Sequence, residues 1–213
     1  MQAPIRPKAI IFDYGHVLCL PQPPEDLKAM AAIFQVPPEV FDPVYWRYRV
    51  PYDQAKLDAC SYWNSVAADL DRKIKDSDIL RLTQTDVSSW SHIDACMMAW
   101  ACKVREAGMR TAILSNMPFD LRDWIERQAP WFKDFDFATF SCDIRATKPA
   151  PEIYQHCLAG VGVSAEEALF FDDRPENVAG ATKLGINAVL FTNAQDTIAS
   201  LEGTYVLPAP LPC

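Results

Sequence analysis

Apolar positions along the chain fall into two kinds of run. Short unbroken runs, rich in strand formers and too short for helices, occur at Ala9-Ile-Ile-Phe12, Thr111-Ala-Ile-Leu-Ser115, Asp136 to Ser141, Ala168-Leu-Phe-Phe-Asp172 and Ile186 to Phe191. A run with no polar alternation suits a strand buried on both faces, as in a parallel sheet. Elsewhere apolar residues recur at helical spacing. Leu27, Met30, Ala31 and Phe34 form one such face, stopped by Pro37-Pro38. Val40 to Arg49, crowded with Phe41, Tyr45, Trp46 and Tyr48, is a second and is expected to close at Pro51. Asp58 to Asp71 and Asp76 to about Val87 are the next two. Ile93, Met97, Trp100 and Val104 then share a face ending at Gly108. Leu121 to Gln128, Pro151 to Gly160 and Pro175 to Leu184 complete the helical set.

Strands alternating with helices across short turns predict an α/β fold with a parallel sheet and helices on both faces. Residues 19–91 contain no clear strand pattern, which makes them a helical insert after the first strand. Residues 1–18 and 92–213 are left as the core. The tail from Gly203 onward, with three prolines, is expected as either an ordered extension or a loose end.

A chain of 213 residues supports one well-buried core with room for an inserted subdomain. A net charge of −8 argues against a nucleic-acid or anionic-membrane partner. An acidic protein that binds a small phosphate needs local positive charge, from a metal ion or a placed lysine. Seven cysteines without a Cys-x-x-Cys pair read as reduced, mostly core thiols of a cytosolic protein. The N-terminus carries no basic-then-apolar signal, and no apolar run approaches the ~18 residues of a membrane span, so a cytoplasmic location is expected.

Polar groups of complementary chemistry end three of the predicted strands: Asp13, Ser115-Asn116 and Asp172-Asp173. Lys148 lies in the connection before the fourth strand. In a doubly wound sheet these positions converge on the crevice outside the carboxyl ends of the strands. Each has a plain structural reading as a strand-end cap, a turn, a surface lysine or a helix N-cap. Together they suit chemistry. Three ionised carboxylates need a cation between them, and an oxygen-only set without His or Cys fits Mg²⁺. Lys148 can balance a phosphoryl group, whose oxygens the Ser115 hydroxyl and loop N–H groups can bind.

Four segments resemble the motifs of the haloacid dehalogenase-like hydrolases: Phe12-Asp-Tyr-Gly-His-Val-Leu18, Leu114-Ser-Asn116, Lys148-Pro149 and Phe171-Asp-Asp-Arg-Pro-Glu-Asn177. The resemblance spans about residues 8–192 and implies a Rossmann-like core with residues 19–91 as an α-helical cap. It further implies Asp13 as a nucleophile forming an aspartyl-phosphate, with Ser115, Asn116 and Lys148 binding the phosphoryl group. Mg²⁺ would be held by Asp13, the Gly15 carbonyl and Asp173, with Asp172 and Asn177 in support. The implied substrate is a small phosphate ester, chosen in part by cap residues, with Trp46, Arg47, Arg49 and Tyr52 as candidates.

One departure stands out. Gly15 replaces the second aspartate that most phosphatases of the family carry as leaving-group acid. Members resembling sugar-phosphate phosphatases also have Gly there, so a phosphatase is still expected, with His16 the nearest titratable replacement. The alternatives are a 2-haloacid dehalogenase, which also lacks that aspartate but dispenses with the metal, and a non-catalytic member that binds a phosphorylated ligand or protein.

Overall fold

The structure, a computed structural model, describes residues 4–211. Its strands are β1 (Ala9–Phe12), β2 (Arg110–Ser115), β3 (Phe137–Phe140), β4 (Ala168–Asp172) and β5 (Asn187–Leu190). They form one parallel sheet in the order β3-β2-β1-β4-β5. The first strand therefore lies at its centre. Ile10 and Phe12 face a cluster with Trp100, Ile113 and Phe171, while Ala9 and Ile11 face another with Ala112, Tyr154 and Phe170. Burial on both faces is why the runs lack polar alternation. Phe12 pairs with Ile113 and Phe171, so Asp13, just after β1, emerges level with Leu114 and Asp172.

Five helices follow β1: α1 (Pro24–Ile33), α2 (Pro38–Arg47), α3 (Arg49–Asp53), α4 (Ala59–Asp69) and α5 (Asp76–Ser89). They bury a cluster of their own built from Met30, Phe34, Phe41, Tyr45, Tyr62, Trp63, Val66 and Leu82. The chain leaves and re-enters the core at one place. Leu20 N–H donates to His92 O at 2.7 Å, and Asp94 N–H donates to Leu18 O at 2.9 Å.

The remaining helices are α6 (Ala95–Glu106), α7 (Phe119–Gln128), α8 (Ser141–Ile144), α9 (Pro151–Val161), α10 (Pro175–Lys183) and α11 (Ala194–Ser200). α6 and α7 cover one face of the sheet, α9 and α10 the other. Among the described residues no helix is long and apolar enough to cross a membrane.

Four expectations need correction. Pro51 does not close the second helix; it lies inside α3, in a first turn whose N–H groups need no helical partner. The third strand stops at Phe140, because Ser141 begins α8. α11 was not foreseen, since its short polar sequence turns only Thr197 and Ile198 inward. Cys19, Cys142 and Cys157 are buried free thiols and Cys60 and Cys102 exposed ones, but Cys96 is disulfide-bonded, against the expectation of reduced thiols throughout. Cys213 lies outside the described residues. As far as it is described, the tail is an ordered extension: Val206 N–H donates to Ile5 O at 2.8 Å, and Trp100 Nε1 donates to Pro208 O at 3.0 Å.

Candidate active site

The carboxyl ends of β1, β2 and β4 bring Asp13, Ser115, Asp172 and Asp173 together, and the segment between α8 and α9 adds Lys148. Lys148 organises the group. The side-chain amide of Asn116 grips the main chain of this lysine, accepting from its N–H at 2.8 Å and donating to its carbonyl at 3.1 Å. The buried ammonium then reaches Asp13 Oδ1 at 2.8 Å, Asp172 Oδ2 at 2.7 Å and Leu114 O at 2.9 Å. Burial alone would lower the Lys148 pKa; Asp13 and Asp172 outweigh it and hold the pKa above its ordinary value.

Asp13 Oδ1 also accepts from Tyr14 N–H at 2.7 Å, while no hydrogen bond among the described residues uses Oδ2. Burial raises the Asp13 pKa to about 7 without a metal; Lys148 opposes the rise, and Asp172 and Asp173 add to it. Asp172 is placed differently. Its oxygens accept from Lys148 Nζ, Arg174 N–H at 2.9 Å and Asn177 Nδ2 at 2.9 and 3.1 Å. Those bonds occupy most of its lone pairs.

Oxygen atoms of Asp13, Asp172 and Asp173 lie within 4.8 Å of one another, a grouping able to hold a metal ion. Two of these carboxylates share the Lys148 ammonium, and the available ligand atoms are all oxygens, so the set fits Mg²⁺. Asp13, Gly15 and Asp173 line a cavity, whereas Asp172 is engaged by Lys148, Arg174 and Asn177.

His16 has a left-handed backbone (φ 59°), lies 2.9 Å from Asp173 Oδ2 through Nδ1, and stacks on Trp90 at 5.6 Å. The hydrogen bond to Asp173 raises its pKa against the opposing effect of burial. A Cβ at Gly15 would lie 3.3 Å from the Trp90 ring, closer than ordinary van der Waals contact.

Above these groups lies a cavity of about 400 Å³, roofed by Trp46, Arg49, Val50 and Asp53. Trp46 is 42% exposed, and its indole N–H donates to Asp42 at 3.2 Å. Arg49 is mainly a member of the helical layer's interior, donating to Asp86 Oδ2 at 2.8 Å and Tyr45 Oη at 3.0 Å. Arg47 pairs with Asp69 on the surface, and Tyr52 donates to Asp120 Oδ2 at 2.7 Å; neither lines the cavity. Sequence reasoning missed Asp53, Trp90 and Arg174 as lining residues. Asp53 lies in no motif, and Trp90 reads as an ordinary helix-end aromatic.

Two curated relatives resemble parts of the chain. Bifunctional epoxide hydrolase 2 of Mus musculus is 30% identical over 127 residues, covering 56% of this chain and 23% of that protein. A sesquiterpene phosphatase of Aspergillus oryzae is 30% identical over 111 residues, covering 51% of this chain and 56% of that protein. The chain thus spans less than two thirds of either relative. A HAD family enzyme mutant from Bacteroides thetaiotaomicron, solved with magnesium and inorganic phosphate, superposes with a TM-score of 0.70 at 19% identity, covering 87% of this chain and 94% of that one. With a match over residues 7–185, the chain belongs to the haloacid dehalogenase-like hydrolase family.

Proposed function

We propose that the protein is a Mg²⁺-dependent phosphatase of a small phosphorylated metabolite in the cytoplasm, working through an aspartyl-phosphate on Asp13. The observation that carries this reading is the trio Asp13, Asp172 and Asp173 with oxygens within 4.8 Å of one another, two of them paired with the Lys148 ammonium. A dehalogenase that works without metal has no use for a second acidic residue beside Asp172. The phosphatase among the relatives and the magnesium and phosphate in the structural neighbour agree with this reading.

Asp13, the carbonyl of Gly15 and Asp173 would hold the ion, which when bound would offset negative charge on the phosphoryl group. Tyr14 N–H and Lys148 fix Oδ1 of Asp13 and so aim Oδ2 at phosphorus. Attack there expels the alcohol and leaves a phosphoryl group on Asp13, which water removes. Lys148, the Ser115 hydroxyl and the main-chain N–H groups around Asn116 bind the phosphoryl oxygens. His16 holds Asp173 in place through Nδ1. Residues 19–91 act as a cap that selects the leaving group, with Trp46 and Arg49 at its face.

The test is a screen of small phosphate esters and a 2-haloacid, each with Mg²⁺ and with chelator. Phosphate release that needs both Mg²⁺ and Asp13 is expected. Chloride release from the haloacid in chelator would instead establish the dehalogenase.

A further inference from the structure

We infer that Asp53, delivered by α3, donates the proton to the leaving-group oxygen in place of the acid absent at Gly15. The inference rests on the phosphatase reading above. The usual position for that acid holds no side chain here, and a Cβ at residue 15 would crowd the Trp90 ring at 3.3 Å. A replacement has to enter the cavity from another element, and Asp53 is the carboxyl that the helical layer adds to its lining.

Three consecutive residues fix Asp53 in register over the floor of the site. Tyr52 Oη donates to Asp120 Oδ2 at 2.7 Å, and Gln54 Nε2 donates to Thr147 Oγ1 at 3.0 Å, next to Lys148. Between them the Asp53 carbonyl accepts from Ser141 Oγ at 2.6 Å, and that hydroxyl in turn accepts from Met117 N–H at 2.9 Å, next to Asn116. The end of α3 is thereby tied to the two loops that carry the phosphoryl-binding groups.

The carboxyl group itself is only partly committed. Oδ1 lies 3.3 Å from Arg49 Nη2 and has no hydrogen-bond partner, and no hydrogen bond among the described residues uses Oδ2. The charged and titratable groups acting on it are Arg49 on its own helix, Asp86 of α5, Arg174 after β4 and Tyr62 of α4. Burial raises its pKa to about 6 despite the opposing pull of Arg49, which suits a group that must give and regain a proton near neutrality.

The step balances. As Asp13 Oδ2 bonds to phosphorus, the phosphorus–oxygen bond to the alcohol breaks and its electron pair takes the proton of Asp53. The products are the alcohol, the aspartyl-phosphate and the Asp53 carboxylate. That carboxylate then takes a proton from the attacking water, returning Asp53 to its acid form as phosphate leaves.

The experiment compares kcat/KM for an aryl phosphate with a stable phenolate leaving group and an alkyl phosphate of similar size. It uses wild type, Asp53→Asn, Asp53→Glu and His16→Ala, all with saturating Mg²⁺. Asp53→Asn is expected to slow the alkyl ester about 100-fold or more and the aryl ester less than about 10-fold. Asp53→Glu should recover much of the loss. The wild-type alkyl rate should fall as pH rises through the donor's pKa, and this fall should vanish in Asp53→Asn. Equal losses on both esters, no loss on either, or a gap opened by His16→Ala instead would overturn the assignment. If Asp53→Asn does not fold, wild type decides: a steep dependence on leaving-group pKa shows that no acid operates. Absence of Mg²⁺- and Asp13-dependent release from every ester in wild type would refute the phosphatase reading itself, a result separate from any change of the ester ratio in an active enzyme.

Discussion

The Lys148 ammonium lies 2.8 Å from Asp13 Oδ1 with both groups buried. A second carboxylate, Asp172, leans on the same ammonium. Removing the lysine strands two buried negative charges, and breaking a buried pair in this way typically costs about 3–5 kcal/mol. Lys148→Met, close in length and volume, is therefore expected to lower the denaturation midpoint markedly and to stop phosphate release. An unchanged midpoint in chemical denaturation would mean that the pair contributes little to the fold.

Asp13 and Asp173 should fail in different ways. Asp13→Asn keeps an oxygen to accept the Tyr14 N–H but removes the proposed nucleophile, so turnover should drop to background while the folded structure persists. Asp173→Ala removes a group that is aimed at the site and held by His16 but lies outside the Lys148 pair. Its first effect should be weaker Mg²⁺ binding, read by titration calorimetry, with activity partly recovered at high Mg²⁺. Full activity of chelator-treated wild type on any ester would remove the metal from the proposal.

Much of this arrangement could be read in the sequence, because its chemistry stands at the ends of unbroken apolar runs. Asp13, Ser115 and Asp172 each follow such a run, and burial on both faces of a parallel sheet leaves those runs no other placement. Lys148 was legible only through its order among the motifs. Arg49 was legible only in part: it lines the cavity, but its partner Asp86 is 37 residues away and invisible to local pattern. Asp53 was illegible for a related reason. Its place over the site depends on Tyr52 meeting Asp120 and Gln54 meeting Thr147, contacts set by tertiary packing.

Stability of the metal-free protein should fall as pH rises from about 4 to about 7. Burial holds the proton on Asp13 up to about 7 and on Asp53 up to about 6, whereas the ordinary value is 3.8. Across that window the native state binds more protons than the unfolded chain, so the slope of unfolding free energy with pH is negative. Lys148 does not offset the trend, since its pKa is raised above 10.5 and its contribution is constant over this range. Denaturation in chelator at several pH values should show the decline, and Asp13→Asn should flatten its upper part. Saturating Mg²⁺ should reverse it near neutrality by favouring the ionised site. A rise in stability between pH 5 and 7 in chelator would contradict the carboxylate crowding.

Trp46 and Arg49 both face the cavity, yet they should respond differently to truncation. Trp46 is 42% exposed and makes one hydrogen bond, to Asp42 within its own helix. It also approaches Trp90 edge-on at 6.4 Å and Tyr45 at 5.0 Å, and the Arg49 guanidinium lies 6.0 Å from the centre of its ring. Trp46→Ala therefore removes apolar cavity wall at modest cost to the fold, and should change relative kcat/KM among esters that differ in leaving-group size. Arg49 is 5% exposed, pairs with Asp86 and Asp53, and lies over the rings of Tyr45, Tyr52 and Tyr62. Truncating it leaves two acidic side chains buried without their cation, a loss on the order of 3–5 kcal/mol. Arg49→Ala should accordingly lower the melting temperature and depress all esters together. Thermal melts alongside a three-ester panel separate the cases: a stable Arg49→Ala with altered preference, or a destabilised Trp46→Ala with none, would exchange the roles assigned to the two residues.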